Sequence, residues 1–109
     1  MTDTIHLNLF TAGSPANQFK GQWKNPEDHT ATGYRTVDHW IELAKLAERG
    51  RFDAIFFADS HGLYDVYGGN ERAAIRYAVQ VPSLDPTVLI PVLASVTTNL
   101  GFAVTYSTT

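Results

Sequence analysis

Five consecutive apolar residues, Ala54-Ile55-Phe56-Phe57-Ala58, begin four residues after Gly50 and stop at Asp59. A run this short, apolar at every position and rich in β-formers, fits a strand covered on both faces. Strands of that kind belong to parallel sheets, and parallel neighbours are joined by long crossovers, usually helices. The run therefore asks for a helix before it and another after it.

Both are legible. Residues 37–49 place Trp40, Leu43, Ala44 and Ala47 at i, i+3, i+4 and i+7. Thr36 is positioned to cap this helix, Asp38 suits its first turn, and Lys45 and Arg49 suit its negative end. Gly50 is positioned to be the left-handed residue that closes it. Further on, Asp85-Pro86 joins an N-cap to a proline at the first helical position. Leu89, Val92, Leu93, Val96 and Leu100 form the apolar stripe of this second helix. Pro91 inside that stripe predicts a kink or a late start, and Gly101 is expected to stop the helix.

Residues 5–10 alternate Ile5, Leu7 and Leu9 with His6, Asn8 and Phe10, a strand period. Residues 102–107 read as a third strand. The order strand, helix, strand, helix, strand predicts an α/β fold with a parallel sheet and right-handed crossovers. The strands are expected side by side in chain order, with both helices on one face. Residues 11–35 hold no period and read as one long loop, and residues 60–70 as a second. Residues 71–81 stay ambiguous, with Ala73, Ala74, Tyr77 and Ala78 able to line a short helix.

Composition narrows the function. The 109 residues suit one domain, and 44 % hydrophobic against 17 % charged residues is a globular balance. A net charge of −3 leaves no basic patch for nucleic acid or an anionic membrane. With no cysteine, disulfides, thiolate zinc sites and cysteine nucleophiles are excluded. The four histidines, His6, His29, His39 and His61, show no metal-ligand spacing, so no metal site is assigned. Neither a secretory leader nor an 18-residue apolar span is visible, and a soluble cytoplasmic protein is the expectation.

In parallel α/β folds ligands bind beyond the carboxyl ends of the strands. Residues 10–14, 59–69 and 105–109 occupy those places. Asp59 reads either as a turn-former or as an acceptor for a ligand hydroxyl or ring N–H. Thr105 shares a strand face with Ala103 and Ser107, leaving room for a bound ring, or is an ordinary β-branched strand residue. His61 reads as a solvated loop residue or as a catalytic base. Tyr64 and Tyr67 could stack on a substrate or pin their loop, and Trp23 could anchor a lid or plug the sheet end. No G-x-G-x-x-G follows the first strand, which disfavours a dinucleotide site.

The stretch Leu46-Ala47-Glu48-Arg49-Gly50-Arg51-Phe52-Asp53-Ala54-Ile55-Phe56-Phe57-Ala58-Asp59 resembles the bacterial-luciferase-like flavin monooxygenases. The closer resemblance is to the branch of nitrilotriacetate and dibenzothiophene-sulfone monooxygenases. Gly21-Gln22-Trp23, residues 62–69 (Gly-Leu-Tyr-Asp-Val-Tyr-Gly-Gly), Asp85-Pro86-Thr87 and residues 101–109 (Gly-Phe-Ala-Val-Thr-Tyr-Ser-Thr-Thr) agree with it in the same order. The resemblance implies part of a (β/α)8 TIM barrel that uses reduced FMN and dioxygen to oxidise a small organic amine or sulfur compound. It implies Asp59 and Thr105 as FMN-binding residues, a separate flavin reductase as transient partner, and a homo-oligomeric parent. Such a barrel takes about 250 residues, and the family's later Gly-Arg-x-x-Trp-Asn-x-Val-Thr-like segment is absent. Residues 1–109 are therefore expected to be an amino-terminal part of the barrel, inactive alone. The competing expectations are a small non-catalytic α/β ligand-binding module and an inactive remnant.

Overall fold

Asp53 is the root of the sheet. Its N–H donates to the Leu7 carbonyl at 2.9 Å, its carbonyl accepts from the Gly101 N–H at 2.8 Å, and its carboxylate accepts from the Leu7 N–H at 2.7 Å. One residue thus aligns the starts of three strands: β1 (Asn8–Ala12), β2 (Ala54–Ala58) and β3 (Gly101–Val104). They are parallel, in the order β1-β2-β3, as the alternation of elements predicts. The computed structural model describes residues 3–15 and 24–106.

Strand bounds follow their partners rather than their own periodicity. β1 runs from Asn8 to Ala12 instead of over residues 5–10, because β2 offers pairing partners only from Ala54 onward. Ile5 is left 82 % exposed, outside the ladder. β3 ends at Val104 instead of continuing to residue 107, and Ser107 lies outside the described residues.

Among the described residues, four helices connect the strands: α1 (Thr30–Gly33), α2 (Val37–Arg49), α3 (Arg72–Arg76) and α4 (Ile90–Ser95). The first long loop therefore contains a helical turn, α1, where the sequence suggests none. Helix α2 has its expected span, but its two caps work differently. Thr36 occupies the N-cap in extended conformation, yet its hydroxyl donates back to the Gly33 carbonyl at 2.9 Å. At the other end Gly50 keeps φ −74, and Arg51 takes the left-handed conformation at φ 59. The bonds Phe52 N–H to Ala47 carbonyl and Arg51 N–H to Glu48 carbonyl, both 3.0 Å, form the paired closure of a Schellman motif with Arg51 at its left-handed position.

Pro91 gives α4 a late start. A 3-10 turn over Pro86–Val88 precedes it, and Asp85 caps that turn by accepting from the Thr87 N–H at 2.9 Å. Gly101 does not stop this helix. It ends at Ser95, where the Thr97 hydroxyl takes the Leu93 carbonyl and the Glu48 carboxylate takes the N–H groups of Thr98 and Asn99 at 2.7 and 2.6 Å. Gly101 instead opens β3, where a Cβ would stand 3.2 Å from the Asp53 carbonyl oxygen.

Both long crossovers pack on one face of the sheet, as expected. Trp40, Ala44 and Ala47 of α2 meet Ile55 and Phe57 of β2 and Leu93 of α4 in a single buried cluster. The rings of Trp40 and Phe57 lie 5.6 Å apart, and the Trp40 indole N–H donates to the buried Tyr34 carbonyl at 2.7 Å. Burying a side chain of this size stabilises the fold by about 1.5–3 kcal/mol. Of the predicted α4 stripe, Leu89, Leu93 and Leu100 are buried, while Val92 is 36 % exposed. His39 is half-buried, with its ring edge-on to Trp40.

Candidate functional site

The sheet's second face is built for something other than helices. Phe10 and Phe56 stack on it, with centroids 5.6 Å apart. One pleat further towards the carboxyl ends, Ala12 pairs with Ala58. Extending the β2–β3 register by one residue sets Thr105 beside Ala58. The side chains on this face shrink from aromatic rings to methyl groups as the strands end. The result is a shelf of small residues at the end where parallel sheets bind ligands.

Thr105 also finishes the sheet. Its N–H donates to the Phe57 carbonyl at 3.1 Å, as a parallel ladder requires. The next rung would run from the Asp59 N–H to the Thr105 main-chain carbonyl. The Thr105 hydroxyl takes that rung instead, accepting from the Asp59 N–H at 2.8 Å, while its own hydrogen points to the Phe57 carbonyl at 3.5 Å. The two residues singled out in the sequence, Asp59 and Thr105, are thus brought into direct contact.

The Asp59 side chain is 9 % exposed and its Oδ2 accepts from the His61 Nε2 at 3.1 Å. His61, at 54 % side-chain exposure, is neither buried nor purely solvated. The Asp85 carboxyl is held below its usual range first by the Thr87 hydroxyl, then by the Thr87 N–H, with His61 adding a smaller charge effect.

Beneath the loops at the carboxyl ends of β1 and β2 lies a small cavity of about 40 Å³. Ala12, Ser14, Ala58, Ser60, Gln80 and Ser83 line much of it. Ser14 is 2 % exposed, and among the described residues its Oγ has no hydrogen-bond partner. Neither Asp59 nor Thr105 lines this cavity. Gln80 reaches it from a left-handed backbone, φ 57, and accepts from the Tyr64 hydroxyl at 2.8 Å. Nothing in the sequence marks Gln80, because glutamine carries no preference for that conformation. Tyr67, in contrast, is 82 % exposed. Trp23, Thr108 and Thr109 lie outside the described residues.

No family model matches the chain. It is 46 % identical over its whole length to long-chain alkane monooxygenase of Geobacillus thermodenitrificans and 40 % identical to dimethyl-sulfide monooxygenase of Hyphomicrobium sulfonivorans. The crystal structure of a long-chain alkane monooxygenase superposes on the entire chain with a TM-score of 0.93. Its homologues are luciferase-like flavin-dependent monooxygenases. They include dibenzothiophene-sulfone and nitrilotriacetate monooxygenases, the branch that the sequence motifs resemble. A riboflavin lyase crystallised with modified FMN and riboflavin superposes on 96 % of the chain, with a TM-score of 0.83 and 27 % identity. The chain spans about a quarter of the length of these relatives: 24 % of the alkane monooxygenase and 22 % of the dimethyl-sulfide monooxygenase. The three-stranded parallel sheet is accordingly a partial α/β fold of the TIM-barrel monooxygenase type.

Proposed function

We propose that the chain supplies one wall of the flavin site in an FMN-dependent monooxygenase that oxidises a small organic substrate with dioxygen. The names of the alkane, dimethyl-sulfide and dibenzothiophene-sulfone monooxygenases it resembles favour a sulfur compound or a hydrocarbon as the substrate class. The observation that carries this reading is the Asp59–Thr105 contact beside the Ala12–Ala58 shelf, at the carboxyl ends of adjacent parallel strands. The buried Ser14 hydroxyl, without a hydrogen-bond partner among the described residues, adds a polar group at the same end.

Reduced flavin supplies the electrons that activate dioxygen, chemistry no side chain of this protein provides. The protein's part is orientation and exclusion of water. In this reading the Asp59 carboxylate accepts from a flavin ring N–H or a ribityl hydroxyl. The Thr105 methyl packs on the ring, and its hydroxyl fixes the height of the Asp59 backbone. A separate flavin reductase delivers the reduced FMN.

Anaerobic titration of reduced FMN into protein made from the whole reading frame tests this. A lost hydrogen bond to a charged group costs about 1.5–3 kcal/mol, and one to a neutral group about 0.5–1.5. Asp59→Ala should weaken binding by roughly tenfold to a hundredfold, and Thr105→Val by about tenfold or less. Unchanged affinity in both variants would remove the flavin from this end of the sheet.

A further inference from the structure

Asp59 is gripped from two directions. The Thr105 hydroxyl holds its backbone N–H at 2.8 Å, and the His61 imidazole holds its carboxylate at 3.1 Å. A carboxylate only accepts, so the His61 Nε2–H must donate. The carboxylate is largely shielded at 9 % exposure, so this bond constrains a group with few other orientations. His61 itself is more than half exposed and stays on the solvent side of Asp59.

From this geometry we infer that His61 is a positioning residue: its imidazole sets the rotamer in which the Asp59 carboxylate meets the flavin. The inference rests on the flavin reading of Asp59 and adds a second residue to it. His61 does not touch the flavin in this arrangement. It acts through Asp59, so removing Asp59 should remove the effect of His61 on flavin binding. That property separates it from a residue that merely stiffens the loop over residues 60–70, whose loss would be felt whatever occupies position 59.

The test is a double-mutant cycle read as the dissociation constant of reduced FMN, in protein from the whole reading frame. His61→Leu should weaken binding about fivefold, a coupling typical of residues in contact. His61→Gln should restore most of that loss, because its side-chain amide N–H reaches the position of the imidazole Nε2–H. His61→Asn, one methylene shorter, should not. The Gln and Asn pair keeps the test alive if the Leu variant does not fold. In the Asp59→Ala background, the His61 substitutions should cause no further loss.

Equal losses with and without Asp59 would overturn the inference, because His61 would then act independently. A wild-type affinity in both His61→Leu and His61→Asn, alongside a weakened Asp59→Ala, would overturn it while leaving the flavin reading of Asp59 intact. Wild-type affinity in Asp59→Ala would remove both.

Discussion

The Asp59 N–H donates to the Thr105 hydroxyl at 2.8 Å, across 46 residues of chain. A side chain has replaced a main-chain carbonyl as the last rung of the β2–β3 ladder. The sheet ends there with its carboxyl-terminal corner pinned rather than frayed.

Thr105 should therefore matter to the fold as well as to a ligand. Thr105→Val keeps the shape but leaves the Asp59 N–H without its acceptor, at a cost of about 1–3 kcal/mol. Thr105→Ser keeps the hydroxyl and should cost less. Amide hydrogen exchange at Asp59 should quicken in the valine variant and stay near wild type in the serine variant. Equal exchange rates in all three would show that the hydroxyl does not hold the corner.

Arg51 offers a gain in stability. At φ 59 it occupies the left-handed region, which costs a residue with a Cβ about 1–2 kcal/mol. Glycine relieves that cost but loses about 0.5–1 kcal/mol through its freer unfolded chain. Arg51→Gly should come out more stable by about 0.5–1 kcal/mol in urea denaturation. A loss of stability would mean that the guanidinium makes a contact worth more than the strain.

Two carboxylates make the fold sensitive to acid. Glu48 is held below its usual value of 4.5 by the N–H groups of Asn99 and Thr98. Asp53 is held below its usual value of 3.8 by the Leu7 N–H and then by His6. A lowered folded-state value means the unfolded chain binds protons first as pH falls. Their contribution is thus whole above about pH 4.5 and is lost as pH drops through the folded values. Glu48→Gln and Asp53→Asn should each flatten the stability profile in that acid window and change its slope little near neutrality. An unchanged acid slope in both variants would show that these bonds do not persist in solution.

Gly13 carries a close approach between the first loop and the segment before α4. Its carbonyl accepts from the Leu84 N–H at 2.7 Å, and a Cβ at this position would stand 2.9 Å from the Leu84 carbonyl oxygen. The obstacle is backbone and cannot rotate away. Gly13→Ala should destabilise by about 1–3 kcal/mol, the usual cost of overpacking. A variant with wild-type stability would show that the loop yields easily.

Much of the fold was legible because it rests on local periodicity. The all-apolar run at Ala54–Ala58, the Trp40–Ala44–Ala47 stripe and the Asp85-Pro86 start each declare an element within about a dozen residues. Parallel order followed, since helical crossovers leave few other arrangements. Asp59 and Thr105 were placed at strand ends by the same reasoning. Their contact was not legible, because it depends on a register between segments 46 residues apart.

The sequence by itself determined the three strands, the two long crossover helices and their order, because short-range side-chain spacing sets these. The tertiary structure decided where β1 begins and where β3 and α4 stop. β1 begins at Asn8 because its partner begins at Ala54, and α4 ends at Ser95 where Glu48 of another helix captures the following amides. Arg51, not Gly50, adopts the left-handed turn because the two closing bonds of α2 fall one residue later. His61 acquires a role only when the chain brings it against the shielded carboxylate of Asp59. A backbone hydrogen bond belongs to whichever partner arrives in register, and register is a property of the assembled sheet.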